Sequence, residues 1–378
     1  MAGIYLHIPF CEQFCIYCDF YSVKQRGKLP LFVQALKSEI INRSQDFKKR
    51  GYTVETIYFG GGTPSLLSSD QLSDILQIIK EHYPVKGGDE VEVTLEANPD
   101  DIDKEFCRDL IKSGFNRISI GVQSFVESHL KWMNRRHTAL QATESYYIAR
   151  EAGFSNISID LIFGFELLSN REWLFNINKA IELKPEHISS YQLSIEKGTK
   201  LNSLYNSGIY SPTDQNDSYR QYSQLQHLLG NNGYRQYEVS SFCKTCKESR
   251  HNSSYWDFTP YFGFGPSAHS FTGDRRFWNR KGIAAYIKSI ESGEVFYCSE
   301  QIGEKERFNE FVMLSLRTVK GIDKTELEAS FSKVFQNHLL LQSQIFVDKG
   351  VLIDEGNALR IPPNHLFVSD GIIRELFF

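Results

Sequence analysis

The chain is short of the features that mark secreted, membrane-spanning and nucleic-acid-binding proteins. No apolar run approaches the ~20 residues that a membrane-spanning helix needs, and the start, MAGIYLHIPF, lacks the basic segment of a signal peptide. The 42 Lys+Arg and 46 Asp+Glu give a formal net charge of −4, which argues against general nucleic-acid binding and a polybasic membrane anchor. We therefore expect a cytoplasmic protein that does not bind nucleic acid.

Cysteine is also sparse, and its distribution is uneven. Three of the seven cysteines, Cys11, Cys15 and Cys18, lie within eight residues. The position two residues beyond the last of them is Phe20 and not a fourth cysteine. In a cytoplasmic chain, an odd and clustered set of cysteines indicates metal or cluster chemistry and not a disulfide framework.

The first half of the chain alternates short β-rich runs with segments of helical periodicity. Six strand–helix units in a row imply a parallel sheet with right-handed crossovers. Because a full barrel has eight units, we expect an α/β fold with an incomplete (β/α)6, TIM-like barrel; an open doubly wound sheet is the competing architecture. The predicted strands are 4–9, 56–59, 91–97, 117–123, 156–163 and 187–195.

The second half is less regular. We predict a seventh strand over 233–242, ordered loops over 243–282, and then helices followed by a hairpin that turns at 355–357. That last pattern is typical of a small winged-helix-like α+β domain. Residues 305–378 hold 9 Lys+Arg against 10 Asp+Glu, which argues against DNA reading. The expected divisions are 1–232 for the barrel, 233–303 for an extension, and 304–378 for the C-terminal domain.

Polar residues recur where the predicted parallel strands end. Barrel enzymes build their active sites from the C-terminal ends of the strands and from the loops that follow them. One carboxylate at a strand end is commonly a helix cap or an ion pair, but here the polar positions all fall at one rim. They are Gly61, Gly62 and Thr63 after the second strand, then Glu96, Gln123, Asp160, Tyr191 and Gln192.

The cysteine spacing, C-x3-C-x2-C, predicts a [4Fe-4S] cluster. A protein usually ties each iron of such a cluster with one thiolate. Three thiolates therefore leave one iron open, and an open iron can chelate a small molecule through an amine and a carboxylate. The alternative is a zinc knuckle in which His7 is the fourth ligand.

The rim suits a nucleotide-like ligand beside that cluster. The triple glycine lets backbone approach a bound group because no Cβ intervenes. Glu96, Gln123 and Asp160 offer acceptors for ribose hydroxyls or an ammonium group. Arg135 could clamp a carboxylate with two hydrogen bonds, and Tyr17 could lay its ring against an adenine.

Five motifs, YLHIPFCEQFCIYC, YFGGGTPS, LEANPD, GVQSF…MNRRH and ISIDLIFGF, resemble those of the radical S-adenosylmethionine superfamily. More narrowly, the chain resembles the branch that holds oxygen-independent coproporphyrinogen III dehydrogenases and the HemW-type haem chaperones. The resemblance implies that Cys11, Cys15 and Cys18 bind the [4Fe-4S] cluster. It also implies contacts to S-adenosylmethionine from Tyr5, Gly61, Gly62, Thr63, Glu96, Gln123, Arg135 and Asp160.

Two departures separate the chaperones from the dehydrogenases in this resemblance. The dehydrogenases carry a further cysteine where this chain has Phe20, and an extension before the first strand where only four residues precede Tyr5. A third feature, HNSSYW, resembles the chaperones' haem-associated motif and implies haem contacts by His251, Asn252, Tyr255 and Trp256. Its alternative role is a hydrogen-bonded loop anchor. His269 is a second candidate iron ligand, and the glycines of Gly263-Phe264-Gly265 could let a bulky ring approach.

The expected function is therefore that of a haem chaperone with cluster, S-adenosylmethionine and haem as cofactors. Its expected partners are an acceptor protein, for example a respiratory protein at the membrane, and a reductant such as a flavodoxin or ferredoxin. Such a chaperone would have no classical enzyme turnover. The enzymatic alternative is an oxygen-independent coproporphyrinogen III dehydrogenase, and a third is a degenerate or zinc-filled site. Cys243 and Cys246 could bind zinc, form a redox pair, influence haem attachment or be neutral.

Overall fold

A computed structural model describes residues 1–378, apart from the side chain of Asp89. The strands are β1 (Ala2–Ile8), β2 (Val54–Gly61), β3 (Glu92–Ala97), β4 (Arg117–Gln123), β5 (Ile157–Phe163), β6 (His187–Gln192), β7 (Arg235–Glu238), β8 (Ser241–Cys243), β9 (Tyr261–Phe264), β10 (His269–Phe271), β11 (Arg275–Asn279), β12 (Tyr297–Gln301), β13 (Ile322–Asp323), β14 (Ile353–Asp354) and β15 (Ala358–Arg360).

The α-helices alternate with these strands along the first half of the chain. They are α1 (Leu29–Lys49), α2 (Ser69–His82), α3 (Lys104–Ser113), α4 (Glu127–Trp132), α5 (Ala139–Ala152), α6 (Asn170–Leu183), α7 (Lys200–Asn206), α8 (Gln215–Asn231), α9 (Arg250–Trp256), α10 (Ile283–Ser292), α11 (Glu304–Leu316), α12 (Lys324–Ser330), α13 (Lys333–Asp348) and α14 (Ser369–Glu375).

Strands β1 to β6 lie side by side in sequence order, and each neighbouring pair is parallel. The helices between them supply the crossovers that a parallel sheet requires. Strand β9 adds a parallel neighbour to β1, and β8 pairs antiparallel with β6. The strand order, β12-β11-β10-β9-β1-β2-β3-β4-β5-β6-β8-β7, does not close on itself. This confirms the incomplete α/β barrel.

Local sequence fixes where the crossover helices start and stop. Helix α2 begins with a capping box between Ser68 and Gln71, and its N-cap is Ser68. Helices α3 and α5 end at Gly114 and Gly153, whose φ angles of 104° and 122° favour glycine. Within the described residues, no helix is both long enough and apolar enough to cross a membrane.

The strands place apolar and polar side chains on opposite faces of the sheet. In β4, Ile118, Ile120 and Val122 are fully buried in the apolar core, whereas Ser119 and Gln123 line the cavity inside the barrel. This alternation follows from the period of two in a β-strand. The main core thus lies outside the barrel strands, and the barrel interior is free to carry polar chemistry.

The region after β6 is more ordered than its composition predicted. The predicted seventh strand is two short strands, β7 and β8, with an irregular register between Gln236 and Glu238. The predicted loops of 243–282 contain α9, β9, β10 and β11. Glycine-rich composition misled the prediction because Gly263 lies inside β9, where a Cβ would come 2.1 Å from the carbonyl oxygen of His269.

The C-terminal segment forms helices around a small three-stranded sheet, in the order β13-β15-β14. The predicted hairpin is present as β14 and β15, and Gly356 in its turn has a φ of 80°. Helix α14 was not predicted. The proposed boundary at 303/304 falls between β12 and α11, but β12 still belongs to the large sheet. The three-part division remains a prediction.

Candidate functional site

The loop after β1 brings three thiols to the mouth of the barrel. Cys11, Cys15 and Cys18 are free and half-buried, and they line a cavity of about 820 Å³. The loop is closed at its base, where the Val23 amide donates to the Pro9 carbonyl over 2.6 Å. The same cavity is lined by Tyr17, Gly61, Gly62, Thr63, Glu96, Gln123, Arg135, Asp160, Tyr191 and Gln192. The thiols and most of the predicted polar side chains therefore share one space.

A segment after α4 fastens the thiol loop to the barrel. Asn134 donates through Nδ2 to the Phe14 carbonyl over 2.7 Å, and its own φ of 59° is left-handed. Next to it, Arg135 donates through Nη1 to Cys15 Sγ over 3.3 Å. The thiolate is the form of cysteine that binds metal, and this guanidinium places a positive charge beside one of the three thiols. The loop is thus held in place and given a positive neighbour.

The donor set fits an iron–sulfur cluster better than a zinc knuckle. His7, the fourth ligand in the zinc alternative, has both ring nitrogens engaged: Nε2 with the Tyr21 carbonyl at 2.8 Å and Nδ1 with Tyr5 OH at 3.1 Å. Among the described residues, no three His, Cys, Asp or Glu side chains converge enough to hold a single metal ion. In a [4Fe-4S] cluster each thiolate binds a different iron. Three thiols that do not converge on one point therefore fit a cluster better than a single zinc ion.

The glycines after β2 are required by the close approach of neighbouring protein groups. Gly61 has a φ of 112°, and a Cβ there would lie 2.7 Å from the ring of His7. A Cβ on Gly62 would lie 2.7 Å from the Phe10 carbonyl oxygen and 3.1 Å from Cys11 Sγ. The triple glycine therefore lets the thiol loop sit against the end of β2. The predicted contact of these glycines with a bound group remains a prediction.

Two carboxylates inside the barrel are held partly protonated by their surroundings. Burial raises the pKa of Glu96 to about 7 and that of Asp160 to about 6. Glu96 accepts a hydrogen bond from Tyr58 OH over 2.7 Å, and Ser119 Oγ donates to both oxygens of Asp160 over 3.3 Å. A cation placed between these groups would favour their ionised forms. The interior is therefore suited to a positively charged ligand.

A buried arginine lies below these carboxylates and was not predicted as a site residue. Arg117, at the start of β4, is only 1% exposed. Its Nε and Nη1 have no hydrogen-bond partner within the described part of the chain. Its charge lowers the pKa of both Glu96 and Asp160, against the larger effect of burial. The period-two alternation of β4 could have identified it, since Ser119 and Gln123 share its face.

Arg135 is placed differently from the two-pronged clamp that the sequence suggested. Its Nη2 donates to the Gly121 carbonyl over 2.8 Å and to Asn98 Oδ1, while Nη1 is occupied by Cys15. Nε alone has no partner among the described residues. These bonds use three of the five N–H groups of Arg135, so it offers a ligand the Nε–H, the second N–H of Nη1 and a positive charge.

Comparison with known proteins shows to which family the chain belongs. The sequence profile of the Radical SAM superfamily matches residues 5–174, and that of the HemN C-terminal domain matches residues 302–368. The heme chaperone HemW of Bacillus subtilis is 33% identical over 95% of this chain and 94% of its own length. The heme chaperone HemW of Escherichia coli is 38% identical over 71% of this chain and 69% of its own length. The chain belongs to the HemW family.

The solved structure of coproporphyrinogen III oxidase (HemN) from Escherichia coli, a radical SAM enzyme, has the same fold. It superposes with a TM-score of 0.84, covering 100% of this chain and 90% of the oxidase, at 20% sequence identity. The HemW-family chain and that oxidase therefore share a scaffold. The scaffold by itself does not separate a chaperone from an oxidase.

The HNSSYW motif of this HemW-family chain lies at the opposite end of the barrel from the thiols. It forms helix α9, and the backbone amide of His251 donates to Glu92 Oε1 over 2.9 Å at the start of β3. His251 is fully buried, with Nδ1 bonded to Thr56 Oγ1 at 2.8 Å and Nε2 to Tyr255 OH at 2.9 Å. In this geometry neither ring nitrogen is available to iron. The motif closes the floor of the barrel.

The other members of the motif are distributed over different surroundings. Asn252 lines the floor of the large cavity, whereas Tyr255 lines a smaller cavity beside β1. Trp256 is half-buried at the end of α9. Tyr5 also lines the smaller cavity and not the large one. The structure thus does not bring Tyr5 or His251 to the thiol cavity, and their ligand contacts remain predictions.

The remaining cysteines lie away from the thiol cavity. Cys107 and Cys243 are buried, Cys246 is exposed with a φ of 59°, and Cys298 is half-buried on β12. Burial raises the pKa of the Cys243 thiol to about 12, so it is protonated and unreactive at neutral pH. This favours the neutral interpretation of the Cys243 and Cys246 pair.

Proposed function

We propose that this chain is a haem chaperone that binds haem and transfers it to an acceptor protein. Its similarity over nearly the whole chain to proteins named heme chaperone HemW supports haem as the ligand and haem transfer as the role. The observation that carries the rest is the single cavity shared by Cys11, Cys15, Cys18 and the polar strand ends. That cavity would hold a [4Fe-4S] cluster and S-adenosylmethionine. We further propose cytoplasmic placement, with peripheral contact to a membrane when the acceptor is a membrane protein.

The three thiols would hold the cluster through one iron each. When bound, the cluster supplies one iron whose open position can chelate S-adenosylmethionine through its amine and carboxylate. Arg135 would donate a hydrogen bond to Cys15 and lend a positive charge to that carboxylate. A flavodoxin or ferredoxin is the class of partner that would supply electrons to such a cluster.

The barrel side chains would then position the rest of S-adenosylmethionine. Glu96, Gln123 and Asp160 face the cavity from three adjacent strands and can accept hydrogen bonds from ribose hydroxyls or from the ammonium group. Tyr17 lines the same cavity between two of the thiols, and its ring can lie against adenine. Because Glu96 and Asp160 have raised pKa values, a cationic ligand would draw them into their ionised forms.

We expect Arg135→Ala to weaken S-adenosylmethionine binding by ~1.5–3 kcal/mol, the worth of a charged hydrogen bond. Binding is measured by anaerobic titration, followed through the EPR spectrum of the reduced cluster. The matched control is Arg136→Ala, because Arg136 pairs with Glu12, Asp100 and Asp101 and does not line the cavity. Iron and sulfide content is measured in the same samples. Unchanged affinity in a cluster-replete R135A protein contradicts the role given to Arg135.

The chaperone proposal is tested against the oxidase alternative by assaying both activities on one anaerobic sample. Phe20 stands where the resemblance places a further cysteine in the dehydrogenases, so we expect no conversion of coproporphyrinogen III. We also expect saturable haem binding in a parallel titration. The coproporphyrinogen III oxidase of Escherichia coli serves as the positive control for turnover. Robust turnover by this chain would assign it to the oxidases.

A further inference from the structure

A second, smaller cavity lies beside the thiol cavity. It measures about 300 Å³ and is open to solvent. Asp19 and Phe20 line both cavities, so the end of the thiol loop forms the wall between them. This volume is at the lower limit for small-molecule sites. A large planar ligand would enter it by one edge and leave its remainder exposed.

The smaller cavity contains two histidines, and one of them has a free ring. His7 is engaged at both nitrogens by Tyr21 and Tyr5. His269 is exposed, and within the described part of the chain no hydrogen bond occupies its ring nitrogens. Its ring is stacked on Trp278, with centroids 6.1 Å apart and an angle of 21° between the planes. His269 thus presents a supported imidazole to this cavity.

The charge state of His269 suits metal binding. Partial burial, together with the positive charges of Arg276 and Lys281, lowers the pKa of His269 below its usual value. Neutral imidazole is the form that ligates iron. At neutral pH this side chain is therefore ready to bind a metal centre.

The rest of the cavity wall is mainly aromatic, and its other polar side chains are Lys281, Asp19 and Ser267. Phe20 is 64% exposed, an unusual state for so large an apolar side chain. Tyr255 and Tyr261 form an edge-to-face pair with ring centroids 4.8 Å apart. Lys281 lines the same cavity and is exposed. A ligand that matches these groups is a flat apolar disc with a metal at its centre and carboxylates at its edge.

We propose that the smaller cavity is the haem-docking site, with His269 as the axial iron ligand, Phe20 and Tyr255 against the porphyrin face, and Lys281 near a propionate. This inference rests on the proposed chaperone function and gives it a site. The shallow, open shape suits a cargo that must be handed on. The site also lies directly against the thiol loop through Phe20.

This site gives the HNSSYW motif a defined part in haem binding. Tyr255 lines the cavity, and His251 holds Tyr255 in place through the 2.9 Å contact between Nε2 and the tyrosine hydroxyl. His251 is then a positioning residue and His269 the ligand. Both can affect haem binding, but only His269 touches iron.

The test is a haem titration of cluster-loaded protein, read as a difference spectrum against haem-free protein. Wild type should bind about one haem per chain with the spectrum of a histidine ligand. His269→Ala should lose that ligand signature and bind at least about tenfold more weakly. Added imidazole should restore the signature in H269A, because it can fill the space left by the side chain. The iron and sulfide of the cluster, measured before haem is added, should be the same in H269A as in wild type.

Two further variants keep the proposal falsifiable if H269A folds poorly. Phe20→Ala should weaken haem binding and keep the histidine signature. Lys281→Gln should weaken binding of haem but not of haem dimethyl ester, which has no free propionates. His251→Ala should keep the histidine signature even where affinity falls.

The outcomes distinguish failure of the site from failure of the function. If wild type binds haem but H269A has the same affinity and spectrum, the docking site is wrong. If H251A loses the histidine signature and H269A keeps it, the ligand is in the HNSSYW motif. If wild type itself binds no haem, the chaperone proposal fails as a whole.

Discussion

Changing Cys11, Cys15 or Cys18 to Ala should leave the chain without iron and without acid-labile sulfide. Wild type reconstituted without oxygen should hold about four irons and four sulfides, as one [4Fe-4S] cluster requires. The loss should be nearly complete because three thiolates already leave one iron without a protein ligand. Two thiolates would hold only half of the cluster. Iron and sulfide analysis beside the visible absorption spectrum measures the effect.

The control for this prediction is a cysteine outside the loop. Cys298 is half-buried on β12, away from the thiol cavity, so Cys298→Ala should retain the full cluster. Unfolding curves of each variant would show whether a loss of iron follows a loss of fold. Stoichiometric zinc with no sulfide in wild-type protein prepared without oxygen would contradict the cluster and support the zinc alternative.

The strand positions of the barrel could be predicted because each strand is bounded by a turn and buried on its outer face. β4 was predicted at its observed bounds, Arg117–Gln123. The region after β6 could not be predicted in the same way. Its strands β9 to β11 pair with one another or with β1, so they depend on contacts distant in sequence. Gly263 in β9, needed for close packing against His269, resembled a loop residue.

The same limit applies to the site. Glu96, Gln123 and Asp160 could be placed together because parallel strands end at one edge of a sheet. His251 could not be placed, because a motif of six letters does not reveal which end of the barrel its helix will close. Tyr5 lies on β1, where the Tyr58 ring stacks beside it at 6.2 Å, and it faces the smaller cavity; its contact with S-adenosylmethionine remains a prediction.

Phe20 connects the two parts of the proposed function. The sequence marked it only as the place of an absent cysteine, whereas the structure makes it a wall of both cavities. A cysteine there would offer a fourth thiol near the cluster. A phenylalanine instead offers an apolar face to a flat ligand. The difference between the two residues is therefore a difference in which ligand the loop can receive.

Changing Glu96 to Gln should flatten the dependence of the free energy of unfolding on pH between about 4.5 and 7. Burial raises the pKa of Glu96 from 4.5 to about 7, so in this window the folded chain binds a proton that the unfolded chain has released. Stability must then fall as pH rises, by about 1.36 kcal/mol per unit of pKa difference. Because Glu96 is half-buried and faces a hydrated cavity, we expect roughly 2 kcal/mol in total.

The measurement is urea unfolding of cluster-loaded protein at pH 5 and pH 7.5, without S-adenosylmethionine. The stability of E96Q relative to wild type should rise by the expected amount between these two pH values. Asp160→Asn is the matched variant and should show a smaller change, since the pKa of Asp160 is raised to about 6. Parallel stability curves for wild type and E96Q would mean that Glu96 is ionised throughout. A cationic ligand could then gain nothing by ionising it, and the preference of this cavity for S-adenosylmethionine would need another source.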